Sequence, residues 1–277
     1  MRNPLRLFLM VLLLLSAGAL LGLYPYRAAL LPSADDLATA KTRLAPHLRL
    51  FTPAEGQGPF ATVLVFHGCS GQSPAFVENV KSWLLPAGYA LLFVDSFGAR
   101  GVADWHPVCG GKQLWGNERA LDVYAAIELA AGLPQVDGQR LALLGYSHGG
   151  WTILDALAYG GGSGHGFSAP GNAALQRVRA AITFYPYCGF PARLRQGMGR
   201  ELPVLMLLAG RDRITDHRQC LSALASLDLG EMQVVRYGNA DHVFDQQSDL
   251  RTYQPRLAEA AQQHARAFLR EKLGPAQ

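Results

Sequence analysis

The chain has 277 residues, about 30 kDa, with 49% hydrophobic and only 17% charged residues. That balance excludes an intrinsically disordered chain and supplies enough apolar material for one sizeable core. The net charge of +4 is mostly local, because residues 1–27 hold Arg2, Arg6 and Arg27 and no acid. The remainder is nearly neutral and offers no basic stripe for nucleic acid.

Residues 1–27 read as an address. Arg2 and Arg6 form a basic start, and Leu7 to Tyr26 carries no charge. A secretory signal fits, since Ala17-Gly18-Ala19 supplies a small-residue exit. A membrane anchor at 7–26 fits too, because the apolar run continues to Leu23 and about 20 residues cross the hydrocarbon. With the basic residues on the start side, the body should lie outside the cytoplasm, in the periplasm or another extracytoplasmic space. Arg27 pulls weakly against that. If uncleaved, the segment makes the membrane a partner.

The body, 28–277, has no internal linker and reads as one domain. Residues 28–46 suggest a linker and a short helix. The β-branched run Ala61 to Phe66 reads as a buried central strand. His67-Gly68-Cys69-Ser70-Gly71 ends it as a Gly-rich loop. A helix is expected from Ala75 to Leu85 and a second strand from Tyr89 to Val94. Residues 95–116 form a long loop whose Trp105, His106 and Trp115 either border a pocket or pack the loop down. Asn117 to Ala131 is a helix with Gly132 at its end. Arg140 to Leu144 is a strand, and Gly149 to Tyr159 a helix. Residues 160–172 read as a Gly/Ser-rich surface insertion. Three more strands are expected at 180–185, 204–209 and 232–237, with helices near 216–227 and 253–272. Strands alternating with helices imply an α/β fold, a mostly parallel sheet with helices on both faces.

Gly145-Tyr146-Ser147-His148-Gly149 is a G-x-S-x-G pentad. Alone it is weak. Here it follows a buried strand and opens a helix, the setting a nucleophile elbow requires. A Ser hydroxyl needs a base held by an acid. Asp212 comes just past the strand ending at Ala209, and His242 lies past the last strand. Ser147, Asp212, His242 is the α/β-hydrolase order. Asp216 is the rival carboxylate, but it sits where a helix begins and reads as its N-cap. The oxyanion donors should be the backbone N–H groups of His148 and of Cys69. His67 is expected to support its loop through side-chain hydrogen bonds. A metal site from His67, His106 and His148 has no ligand spacing behind it, and neither a metal nor a cofactor is expected. Cys69, Cys109, Cys188 and Cys220 are even in number, which suggests disulfides in an exported chain, with three connectivities open.

The segments HGCSG, VDSFGARG, VCGG, LLGYSHGG, FYPYC, GRDRIT and NADHVFD, over about residues 45–270, resemble the dienelactone hydrolase-like family of the α/β-hydrolase superfamily. The resemblance implies an eight-stranded sheet, no cofactor, and a carboxylic ester or lactone as the small-molecule substrate. It also places Ser147, Asp212 and His242 at the triad positions and Cys69 and His148 at the oxyanion positions. Two departures stand out. True dienelactone hydrolases use a Cys nucleophile with a nearby Glu; this chain has Ser147, and its HGCSG loop holds no Glu. Dienelactone itself therefore does not carry over as substrate. In that fold Cys69 and Cys109 lie in loops after adjacent strands, and Cys188 and Cys220 follow the next two strands. The pairs expected are Cys69–Cys109 and Cys188–Cys220.

The reading is a serine hydrolase of carboxylic esters acting through an acyl-enzyme. A peptidase or thioesterase could use the same triad, because fold does not fix substrate. A non-catalytic, membrane-tethered binding module is the reading from another class.

Overall fold

The structure is a computed structural model that describes residues 4–24, 35–159, 173–198, 202–227 and 230–274. The insertion expected at 160–172 lies outside the described residues. Two compact units separate, Met1–Ala34 and Asp35–Gln277.

In the first unit, α1 (Pro4–Leu23) has 20 residues, a mean hydropathy of 2.3 over its most apolar window and no buried side chain. At 1.5 Å per residue it is about 30 Å long, the thickness of a bilayer's hydrocarbon core.

The second unit is built on a seven-stranded sheet. Its strands are β1 (Leu48–Phe51), β2 (Phe60–Phe66), β3 (Ala90–Val94), β4 (Val136–Tyr146), β5 (Val178–Phe184), β6 (Val204–Ala209) and β7 (Met232–Tyr237). The order is β1-β3-β2-β4-β5-β6-β7, parallel throughout except for β1 against β3. The eight strands implied by resemblance become seven among the described residues. β1 was not legible as a strand: it has four residues, exposes Arg49 and takes its partner from β3.

Side chains alternate between two cores, as a pleated sheet requires. Leu64, Phe66, Leu141, Leu143 and Met206 face α2 (Leu37–Leu44), α5 (Gly116–Ala131), α6 (His148–Tyr159) and α7 (His217–Leu224). Val63, Val65, Ala142, Leu144 and Leu205 face α3 (Pro74–Leu84) and α8 (Pro255–Leu273). With both faces covered, every residue of β2 and β3 is buried, which is why these strands are continuous apolar runs. The helix starts follow local chemistry. Asp36 accepts a hydrogen bond from Thr39 N, Ser73 from Phe76 N, and Asp216 from Arg218 N. The long loop after β3 is less irregular than expected, because His106–Cys109 closes one helical turn, α4. Disulfides join Cys69 to Cys109 and Cys188 to Cys220.

Candidate active site

The six parallel strands β3, β2, β4, β5, β6 and β7 end along one edge of the sheet, where an open α/β sheet delivers functional groups. β4 ends at Tyr146, and Ser147 follows in the left-handed region with φ 51°. That conformation is unfavourable for a residue with a side chain and recurs at nucleophile turns. The glycines explain how it is accommodated. A Cβ on Gly145 would lie 2.5 Å from Gly149 O, and one on Gly149 would lie 2.2 Å from Phe66 O. Helix α6 is thus pressed against the end of β2. Ser147 N donates to Phe184 O at 2.8 Å, which fixes the turn to the neighbouring strand.

Ser147 and His242 are each only 7% exposed. Ser147 Oγ is 3.0 Å from His242 Nε2, and His242 Nδ1 is 2.7 Å from Asp212 Oδ2. A carboxylate accepts, so Nδ1 carries the ring proton and Nε2 offers its lone pair to the hydroxyl. The Asp212 loop closes on its own carboxylate. Ile214 N and Thr215 N donate to Oδ1 at 2.8 and 2.7 Å, and Thr215 Oγ1 lies 2.8 Å from Oδ2. The loop bearing His242 is held next to it: Asp241 accepts from His242 N at 2.8 Å and from Arg213 Nε at 2.6 Å. Tyr185, also left-handed at φ 38°, packs its ring 4.6 Å from that of His242. Its hydroxyl donates to Asp245 Oδ1 at 2.7 Å, and burial pushes the Asp245 carboxyl up to about 6.

The HGCSG loop lies beside Ser147, since a Cβ on Gly68 would stand 3.6 Å from Ser147 Cβ. His67 Nδ1 donates to Gly68 O at 2.7 Å. Cys69 is tied through its disulfide to Cys109 at the end of α4. Asp216 stands apart from the imidazole, capping α7 and paired with Arg218.

The structure shows further residues that the sequence did not single out. Thr215 is the third residue after Asp212, a spacing at which a Thr commonly bonds back to an Asp. Arg119, on α5, is fully buried beneath the loop, with Nη1 2.8 Å from His148 Nδ1 and 3.2 Å from His67 O. Burial and that guanidinium hold both His67 and His148 well below the ordinary histidine range. The three histidines weighed for a metal are otherwise engaged, since His106 is surface-exposed and pairs with Asp104. Among the described residues no group of three or more His, Cys, Asp or Glu is placed to hold a metal ion. On α6, Trp151 packs 5.2 Å from the His148 ring and donates Nε1 to Asp155 Oδ2 at 2.8 Å. Burial pushes the Asp155 carboxyl up to about 7.

The family profile of the dienelactone hydrolases matches residues 48–273, nearly the whole second unit. The chain belongs to the dienelactone hydrolase family. Among solved members of this fold, a dienelactone hydrolase-like promiscuous phosphotriesterase from metagenomic libraries superimposes with a TM-score of 0.62 at 19% identity. That match covers 81% of this chain and 92% of the other. Esterase 2 of Thermogutta terrifontis, phosphorylated by paraoxon, gives a TM-score of 0.61 at 17% identity, covering 83% and 90%. The same esterase with propionate bound gives 0.60. At these identities the likeness shows the dienelactone hydrolase fold. A curated relative, dipeptidyl peptidase family member 6 of Caenorhabditis elegans, is 26% identical over 127 residues. That stretch is 42% of this chain, which spans only 17% of the relative's length.

Proposed function

We propose that this member of the family is a serine hydrolase of carboxylic esters. The observation that carries the reading is the unbroken chain from Ser147 Oγ through His242 to Asp212, at 3.0 and 2.7 Å. His242 Nε2 takes the hydroxyl proton as Oγ attacks the ester carbonyl, and Asp212 holds the imidazole and stabilises its charge. The N–H groups of Cys69 and His148 receive the oxyanion, each such donor contributing roughly 3–4 kcal/mol. His242 then gives the proton to the leaving alcohol, and the acyl group remains on Ser147. Water, deprotonated by His242, releases the acid. No cofactor has a part in these steps.

An amide-cleaving peptidase reading draws support from the stretch shared with the dipeptidyl peptidase relative. Thioesters would pass through the same steps. The apolar N-terminal helix and the two disulfides support an exported body, facing the periplasm or another extracytoplasmic space, with α1 as signal or anchor.

The test uses p-nitrophenyl acetate, a p-nitroanilide and a thioester with the full chain and Ser147→Ala. The ester should be the best substrate, and the variant should lose fluorophosphonate labelling and all but about a thousandth of kcat. Retained turnover in Ser147→Ala would sink the covalent mechanism. Faster anilide than ester cleavage would favour the peptidase.

A further inference from the structure

We infer that Arg119 is the positioning residue of the oxyanion hole, one guanidinium holding from beneath both chain segments whose N–H groups face the substrate carbonyl. The inference rests on the triad reading and extends it to a residue that touches neither substrate nor nucleophile.

A buried guanidinium is costly to desolvate and usually meets a carboxylate. Among the described residues no carboxylate lies within hydrogen-bond reach of Arg119. The nearby Asp122, fully buried as well, takes both its hydrogen bonds from Arg100, at 2.7 and 2.8 Å, with Arg43 at 3.7 Å. Arg119 instead spends Nη1 on His67 O and His148 Nδ1. Its Nε and Nη2 meet no acceptor among the described residues, and the Phe97 ring centroid lies 6.0 Å from Cζ. A buried cation with unmet donors is a poor way to stabilise a core. Its placement makes sense through what Nη1 touches.

His67 follows Phe66, the last residue of β2, and opens the loop that carries Cys69. His148 is the first residue of α6 and follows the nucleophile. The two proposed oxyanion donors thus belong to segments that meet at one nitrogen. The packing is tight on the other side too, since a Cβ on Gly149 would lie 2.7 Å from His67 O. To accept from a guanidinium, His148 Nδ1 must be unprotonated, and its depressed pKa agrees. Its proton then sits on Nε2. Burial pushes Arg119 itself down to about 9, so it remains a cation at neutral pH. A fixed positive charge behind the hole favours the oxyanion over the neutral carbonyl, so its effect belongs in kcat.

The experiment compares Arg119→Met and Arg119→Lys with the parent, full chain, on p-nitrophenyl acetate. Active sites are counted by fluorophosphonate labelling, so that kcat is per reactive Ser147. Arg119→Met should lower kcat by about a hundredfold with KM nearly unchanged. Arg119→Lys should fall between, because an ammonium keeps the charge but loses the planar fork. A boronic acid, which forms a tetrahedral adduct on a Ser, should bind more weakly by the same factor as kcat/KM falls. A general packing defect would lower the number of labelled sites and leave kcat per site intact, and that result overturns the inference. Should neither variant fold, nitrogen NMR of the parent decides: His148 must be neutral with its proton on Nε2, and an Nδ1–H ring overturns the inference. If Ser147→Ala stays active, the triad reading fails first. If it is dead while both Arg119 variants turn over at the parental rate, only this inference fails.

Discussion

The proposed acid–base half of the site and the proposed oxyanion half are held by different physics. Asp212 and His242 sit in two short loops that satisfy themselves. Each Asp212 oxygen accepts bonds from residues within three positions, and Asp241 fastens its own neighbour. The oxyanion half is assembled across long sequence distances. Its supports are Arg119 on α5, a disulfide to a residue 40 positions away, and two neutral imidazoles. Hydrogen bonds within the two loops, and from Arg213 to Asp241 between them, give the first half its geometry, whereas buried charge and a covalent tie give the second its own. Damage should therefore spread differently in the two.

The largest break in that contrast should come from Asp212→Asn. It leaves the loop in place but favours the wrong imidazole tautomer, and kcat should fall by up to about ten-thousandfold. A drop below about tenfold would show that another group orients His242. Next comes the double variant Cys69→Ser with Cys109→Ser. Freeing the oxyanion loop should cost about ten- to a hundredfold in kcat. Cys188→Ser with Cys220→Ser should instead cost about 3–4 kcal/mol of stability, from loss of its 32-residue closure, with turnover kept. Equal turnover losses in both pairs would erase the distinction between a tie that orients and one that only stabilises. Asp155, under Trp151, sharpens the point about buried charge. Its carboxyl titrates near 3.8 in the unfolded chain and at about 7 when folded. The folded chain therefore binds the proton more tightly, and the associated stability, present at low pH, is lost as pH rises from about 4 to 7. Melting temperatures of Asp155→Asn across that window should fall less steeply than the parent's, with Asp245 leaving a residual slope of the same sign. An unchanged slope would remove Asp155 from the account. The smallest effect is expected at Asp216→Ala, which removes the cap of α7: a slightly lower urea midpoint and unaltered turnover. Lost turnover there would exchange the roles of Asp212 and Asp216.

Legibility in the sequence follows the same divide. β2, β3 and β6 announce themselves because strands buried on both faces need unbroken apolar runs. Ser147 and Asp212 each follow such a run closely, so their places can be read along the chain; His242 follows β7, an edge strand that exposes Gln233 and Arg236 and gives a weaker signal. β1 has no such run and depends on β3 for its pairing. β4 reaches back to Val136, but Asp137, Gly138 and Gln139 look like a turn and hide its first half. α4 is a single turn inside a Gly-rich loop. Arg119 gave no signal at all. In a helix rich in Ala, Leu and Glu, an arginine reads as part of the solvated face, and only tertiary packing puts that face under the HGCSG loop.

The close contacts around Ser147 also set which positions can be rebuilt. A side chain at 145, 149 or 150 would drive into main-chain or Pro186 atoms at 2.9 Å or less, so diversity introduced there would pry α6 from the sheet. Gly68 differs: an added methyl would make ordinary contact with Ser147 Cβ at 3.6 Å and with Tyr146 O at the same distance. Of these four glycines it alone lets a library narrow the space beside Ser147 without dismantling it, and ester selectivity is the trait such a library would tune.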